Sequence, residues 1–138
     1  MKAARIASTA GAPVFGWDVG GAHVKVSRAD SSGVPRDVAQ WACPLWQGLD
    51  HLERAIDHVF ERWPEARAAA VQHVITMTGE MVDLFPDRAA GVRALSGALA
   101  ARLGPRTRFF AGVDGWLDAA ACGDRWRAVA SATWLATA

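Results

Sequence analysis

VFGWDVGGAHVKVSR occupies residues 14–28 and contains two short β-favouring runs on either side of a Gly-Gly pair. The first run, residues 14–19, is mostly apolar, whereas polar and apolar residues alternate in the second, residues 23–28. Alternation is typical of a strand with one buried face, and paired glycines between two strands are typical of a tight turn. The stretch therefore predicts a β-hairpin with its tip at Gly20 and Gly21.

The remainder of the chain predicts a third strand and then alternating helices and strands. Apolar residues recur at steps of three and four in two segments bounded by proline or glycine, as expected for amphipathic helices. The predicted elements are a third strand over 37–43, a helix over 49–63, a strand over 71–77, a helix over 87–103, a fifth strand over 108–113 and a final helix over 119–138. We therefore predict an α/β fold whose five-stranded mixed sheet has three antiparallel strands, then helix-linked parallel strands, with flanking helices.

Composition excludes several classes of protein. The chain has 138 residues, 51% of them hydrophobic, and a formal net charge of +1 from scattered charges, so neither nucleic acid nor an anionic membrane is an expected partner. It contains no apolar run near the roughly 20 residues of a membrane helix, and its start is too weakly hydrophobic for a secretion signal. With two cysteines and no Cys-x-x-Cys pair, we expect reduced thiols and a cytoplasmic location. We expect residues 1–13 to form a flexible segment and residues 14–138 to form one domain.

The hairpin tip combines residue types that suit an anion. Gly20 and Gly21 let backbone N–H groups approach a phosphate closely, because no Cβ stands in the way. Asp18 can hold Mg²⁺, Lys25 can supply a compensating positive charge, and His23, on the same face as Lys25, can donate to an oxyanion. The alternative is that the glycines form only a tight turn, with Asp18 as a turn residue.

Three motifs, in order, resemble one known family. They are GWDVGGAHVK at residues 16–25, CPLWQGL at 43–49 and TMTGEMVDLF at 76–85. The order of elements resembles the N-terminal half of the superfamily of acetate and sugar kinases, heat-shock ATPases and actin, with its ribonuclease H-like fold. The motifs themselves resemble the hydantoinase/oxoprolinase-like proteins linked to tetrahydromethanopterin-dependent one-carbon transfer. Members of that group are longer, and their second half carries another Asp-x-Gly hairpin that closes the phosphate cleft.

The resemblance implies a transferase of methanofuran biosynthesis. Members of the group are assigned as the synthase that joins a furanylmethyl diphosphate to the phenol of γ-glutamyltyramine, with loss of diphosphate. A phosphorylated small-molecule substrate and Mg²⁺ are thus implied, with the hairpin residues, Thr78 and Gly79 binding phosphate. Glu80 and Asp83, in the loop after the fourth strand, are candidates for the general base that the phenol needs. Their alternative role is to place negative charge in the first turn of a short helix, where it stabilises the helix N-terminus.

Asp114 follows the fifth strand and reaches the same sheet edge as the hairpin tip if those strands are parallel. It is a candidate second metal ligand beside Asp18, and its alternative role is to end the strand in an Asp-Gly turn. His51 and His58 have no further ligands near them in sequence, and His73 is most simply a buried residue with satisfied hydrogen bonds.

The sequence leaves three hypotheses about function open. The first is an enzyme lobe that is inactive until its missing C-terminal lobe completes the site. The second, within the same superfamily, is the lobe of an ATP-dependent kinase or of a hydantoinase/oxoprolinase-type amidohydrolase. The third is a non-catalytic domain that forms a homo-oligomer through an apolar surface, to which Trp116, Trp126 and Trp134 contribute.

Overall fold

A computed structural model of the chain describes residues 11–132. Its six strands are β1 (Val14–Val19), β2 (His23–Ala29), β3 (Pro35–Ala42), β4 (Gln72–Met77), β5 (Thr107–Phe110) and β6 (Trp116–Leu117). Its α-helices are α1 (Asp50–Arg62), α2 (Arg88–Leu103), α3 (Ala119–Cys122) and α4 (Trp126–Val129), and four short 3-10 helices lie in the connections. The two long helices confirm the sequence prediction to within one residue at each end.

The strands form one mixed sheet in the order β3-β2-β1-β4-β5-β6. β1 pairs antiparallel with β2 and β2 with β3, whereas β1, β4 and β5 run parallel through the connections that contain α1 and α2. The mixed α/β architecture predicted from the order of the elements is thereby confirmed. The ends of β1, β3, β4 and β5 meet at one edge of the sheet, here called the C-terminal edge.

The predicted number of strands is wrong. A sixth strand, β6, returns antiparallel along β5, and β5 ends at Phe110 rather than at Val113. The chain reverses through a 3-10 turn at Gly112–Asp114, closed by Gly115 at φ 75° and by a 2.8 Å hydrogen bond from Ala111 N to Gly115 O. A two-residue strand is too short to produce an alternating pattern, so the sequence contains no signal for it.

The hydrophobic core lies on one face of the sheet. Phe15, Trp17 and Val19 alternate out of β1 into the same buried cluster as the apolar stripes of α1 and α2. The opposite face forms an open groove of about 470 Å³. The residues around it are Gly16, Asp18, Lys25, Ser27, Val38, Val74, Thr76, Phe110 and Trp116, together with Trp17 and Val26, which are buried in the core. All of them belong to strands, so in the described part of the chain the helices flank the other face.

The predicted final helix is also wrong within the described residues. Residues 119–132 form the two short helices α3 and α4 instead of one long helix. Asp118 starts α3 by accepting a hydrogen bond from Ala121 N (2.9 Å), and the helix stops at Gly123, a residue with poor helix propensity. The predicted continuation over residues 133–138 lies outside the described residues, as do residues 1–10 of the predicted flexible segment.

One half-buried polar cluster joins β3 to the end of α1. The Asp37 carboxylate of β3 accepts hydrogen bonds from Arg62 Nη2 (3.1 Å), from Trp63 Nε1 (3.0 Å) and from the Val38 amide (3.0 Å).

No helix in the described part of the chain is long and apolar enough to span a membrane.

Candidate functional site

The glycine hairpin is the best-defined feature of the C-terminal edge. Gly20 N donates to His23 O (3.0 Å) and closes the turn between β1 and β2. From the segment after β3, Cys43 N donates to Ala22 O (2.7 Å) and Leu45 N donates to Gly21 O (3.0 Å). The tip is therefore fixed by its own turn and by the neighbouring connection.

Close packing explains why the tip contains glycine. A Cβ on Gly21 would lie 2.7 Å from Val82 Cγ1, and a Cβ on Gly79 would lie 2.9 Å from a methyl carbon of Leu45. A Cβ on Gly20 would lie 3.2 Å from His23 O. Neither glycine of the tip has a positive φ. Because these positions have no side chains, the loop after β4 can approach the hairpin closely. Close approach of an anion to the hairpin backbone would also require glycine here.

Asp18 and Lys25 are direct neighbours on the open face of the sheet. They are cross-strand partners in the β1–β2 register, and on its other side Asp18 is the partner of Thr76 in β4. Both charged side chains are exposed, as is His23, whereas the intervening Val24 is fully buried. The predicted shared face of His23 and Lys25 is therefore observed.

The loop after β4 lies against the hairpin tip. Thr78 N donates to Val19 O (2.9 Å), so the parallel pairing of β1 and β4 continues to this residue. A Cβ on Gly20 would lie 3.7 Å from Thr78 Oγ1, and one on Gly79 would lie 3.3 Å from Gly20 O. The structure thus brings Thr78 and Gly79 together with the predicted phosphate-binding residues of the hairpin.

Glu80 lies apart from the exposed face. Its side chain has no exposed surface, and its Oε1 accepts hydrogen bonds from Ser131 Oγ (2.6 Å) and from Arg88 Nη2 (3.3 Å). Its Oε2 is also buried and has no hydrogen-bond partner within the described part of the chain. Nothing in the sequence around Arg88 and Ser131 marks them as partners of Glu80.

The other two acidic candidates are exposed and stand at different places on the C-terminal edge. Asp83 follows the 3-10 helix Gly79–Met81, and Asp114 lies in the turn between β5 and β6, 3.8 Å from Arg125. The Asp-Gly turn that was the alternative role of Asp114 is present, since Asp114 immediately precedes Gly115.

Among the described residues, no group of three or more His, Cys, Asp or Glu side chains is close enough to hold a metal ion. A Mg²⁺ ion that is bound through one carboxylate, waters and substrate phosphates does not need such a group. The exposed Asp18 carboxylate beside the glycine backbone fits that mode of binding, and its role as a metal ligand stays a prediction.

The remaining histidines and cysteines have structural surroundings. His73 Nδ1 accepts from Trp17 Nε1 (3.0 Å), its Nε2 donates to Ala66 O (3.0 Å), and burial lowers its pKa to about 4. This confirms the prediction of a buried, satisfied histidine. Burial raises the pKa of the Cys43 thiol, and burial together with the charge of Asp118 raises that of Cys122 to about 11. Both thiols are therefore poor nucleophiles near neutral pH.

Several exposed apolar side chains lie in the connections along the C-terminal edge. Six large hydrophobic side chains are exposed in the described residues, and four of them follow strands that end at this edge. They are Trp46 (53% exposed), Met81 (47%), Leu84 (39%) and Val113 (80%). We call these four residues the apolar rim.

Neither a family model nor a curated protein matches the chain significantly. Among solved structures, the chain is similar to the Ppx/GppA family member from Aquifex aeolicus, with 14% sequence identity and a TM-score of 0.45. The alignment covers 70% of this chain and 34% of that protein, so this chain spans about a third of its length. At this level of similarity the likeness carries no conclusion about activity.

Proposed function

We propose that the chain is a phosphate-binding lobe and that its site lies at the hairpin tip. The observation that carries the proposal is the placement of Asp18 and Lys25 side by side and exposed, next to a glycine turn that is packed against Thr78 and Gly79. A cation, a carboxylate able to hold Mg²⁺ and accessible backbone groups are the components that phosphate binding requires.

More specifically, we propose that the lobe belongs to a transferase with a diphosphate leaving group, as the resemblance implies. In that reaction a phenolate oxygen bonds to the furanylmethyl carbon while the bond between that carbon and the diphosphate oxygen breaks. Lys25 and the backbone N–H groups of the tip, apart from that of Gly20, which donates to His23 O, would stabilise the charge on the departing diphosphate. Mg²⁺ held by Asp18 would supply further charge neutralisation when bound.

The phenol proton needs an acceptor, and the two candidates differ in access. Asp83 is exposed in the loop beside the tip and can meet a substrate without rearrangement. Glu80 can do so only if its contacts with Ser131 and Arg88 open, because its carboxylate is fully buried. Asp83 is therefore the better candidate for the general base in the described arrangement.

The apolar rim supports a protein partner at the same edge. We propose that a second lobe covers the rim and closes the phosphate site from the other side, whether it belongs to the same polypeptide or to another copy. An isolated chain would then bind phosphate weakly, turn over slowly or not at all, and associate with itself as its concentration rises.

Calorimetry tests the phosphate site directly. The chain is titrated with magnesium diphosphate and, separately, with magnesium ATP, alongside the variants Asp18→Asn and Asp124→Asn. Asp124 is an exposed acid between α3 and α4, away from the hairpin, so it is the matched control. We expect diphosphate binding that Asp18→Asn removes and Asp124→Asn leaves unchanged.

Each other outcome has a distinct meaning. If the chain binds ATP but not diphosphate, and Asp18→Asn removes that binding, the result would favour an ATP-dependent kinase or amidohydrolase. Equal binding by parent and Asp18→Asn would place the anion elsewhere and overturn the proposed site. If neither ligand binds, sedimentation at increasing concentration distinguishes a self-associating domain from a monomer that lacks its second lobe.

A further inference from the structure

The structure assigns Ser131 and Arg88 as positioning residues of the candidate site, which act on it through the buried carboxylate of Glu80. We call Glu80, Arg88 and Ser131 the carboxylate clamp. The clamp joins a residue near the end of the described chain to the loop that carries Thr78 and Gly79. Its existence does not depend on the proposed function, although its effect on phosphate binding does.

The clamp is a closed triangle of hydrogen bonds. Ser131 Oγ donates to Glu80 Oε1 at 2.6 Å, and Arg88 Nη2 donates both to that same oxygen at 3.3 Å and to Ser131 Oγ at 3.2 Å. The Glu80 side chain is completely buried, whereas that of Arg88 is 49% exposed. The short bond from the serine hydroxyl is therefore the principal contact of Glu80, and solvent screens the arginine.

Two backbone features show that the clamp is held from both sides. Gly91 in α2 has no space for a side chain, because a Cβ there would lie 2.9 Å from Glu80 Cα, Cβ and O. Helix α2 thus fixes the backbone of Glu80. Ser131 has a φ of 50° and is the only described residue other than glycine with a positive φ. Such a conformation is unfavourable for serine and persists only where its surroundings enforce it.

The surroundings of Ser131 do enforce it. Ala130 and Ala132 on either side are buried, and the hydroxyl bonds to the carboxylate. Glu80 is followed at once by Met81, whose N–H donates to Thr78 O (3.3 Å), and by Val82, whose N–H donates to Gly79 O (3.3 Å). A displacement of Ser131 would therefore be transmitted through Glu80 to the short 3-10 helix beside the glycine hairpin.

The position of Glu80 depends more on Ser131 than on Arg88. Among residues 11–132 the other carboxylate oxygen has no partner, so loss of the serine hydroxyl leaves the longer contact with Arg88 as the last one that these residues provide. An uncompensated buried carboxylate is unfavourable, so we expect the loop to open rather than to keep its position.

Hydrogen exchange followed by mass spectrometry tests the clamp without any ligand. We expect Ser131→Ala to raise the exchange rate of the amides in residues 78–85 by about tenfold or more, since a buried hydrogen bond to a charged group is lost. Ser96→Ala is the matched control, because Ser96 is also buried but its Oγ donates to Arg93 O within α2. We expect it to leave exchange in 78–85 unchanged.

Arg88→Gln provides a second test that does not depend on how Ser131→Ala folds. Arg88 is half-exposed, so its replacement is tolerated, and we expect a smaller increase in exchange confined to the same segment. Unchanged exchange over residues 78–85 in both variants would overturn the inference. An increase spread evenly over the whole chain would also overturn it, because this would indicate general destabilisation.

Affinity for magnesium diphosphate is the second measurement. We expect Ser131→Ala to weaken it several-fold while Ser96→Ala leaves it unchanged. If the parent chain binds no diphosphate, the isolated lobe has no phosphate site of its own, and the exchange experiment alone decides whether the clamp positions the loop. If the parent binds and Ser131→Ala binds equally well, the clamp is structural only and its positioning role is refuted.

Discussion

Replacement of His73 by glutamine is expected to remove a specific pH dependence of stability. His73 is completely buried beneath the sheet, where its neutral ring accepts from Trp17 Nε1 and donates to Ala66 O. Its pKa falls from 6.5 to about 4, chiefly because burial disfavours the charged imidazolium. A glutamine side chain can also accept one hydrogen bond and donate another, but it does not titrate.

The sign of the effect follows from proton binding. Between the unfolded pKa of 6.5 and the folded pKa of about 4, the unfolded chain binds more protons at this residue than the folded chain does. The free energy of unfolding therefore falls as the pH is lowered through that interval. The contribution is fully present above about pH 7, and the loss is about 2 kcal/mol at pH 5 and about 3 kcal/mol at pH 4.

Urea denaturation at pH 7.5 and pH 5.0 measures this loss. We expect the parent to lose about 2 kcal/mol more than His73→Gln between the two pH values. His58→Gln, at an exposed histidine of α1, is the control and should retain the pH dependence of the parent. If His73→Gln and the parent lose the same amount, the imidazole does not titrate as its surroundings predict and the reasoning is refuted.

Two further predictions concern packing and the thiols. Gly21→Ala should lower the free energy of unfolding by about 1–3 kcal/mol, because its Cβ would meet Val82 Cγ1 at 2.7 Å. Gly97 lies in the middle of α2 with open space around it, so Gly97→Ala should raise the free energy of unfolding by about 0.5–1 kcal/mol. Urea denaturation of both variants checks this, and a similar loss in both would contradict the role of close packing at the tip. Cys43 and Cys122 should resist a thiol-specific reagent at pH 8 until urea unfolds the chain, since burial raises the pKa of each. Fast labelling of the folded chain would show that the thiols are accessible.

The parts of the fold that depend on local pattern could be predicted. The hairpin, α1 and α2 follow from alternation, from apolar steps of three and four and from proline or glycine at their ends. The grouping of Asp18, Lys25, Thr78 and Gly79 was implied by the family resemblance alone, because the sequence pattern predicts no strand order and the grouping requires that β1 and β4 be parallel neighbours.

The parts that depend on tertiary contacts could not be predicted. β6 forms only because it pairs with β5. The open groove exists because the helices cover only the other face of the sheet. The burial of Glu80 depends on Arg88, eight residues away, and on Ser131, fifty-one residues away. A glutamate in the loop after a strand has the same local sequence whether it faces solvent or enters the interior.

The hydrogen bonds of Asp37 have a consequence for the lateral growth of the sheet. β3 is an edge strand of eight residues, and edge strands recruit further strands through their unpaired backbone groups. The Asp37 carboxylate already accepts from the Val38 amide and from two side chains at the end of α1. A strand from another molecule would have to displace these donors before it could pair at this position. The edge thereby opposes fibril-like addition of further strands at this position.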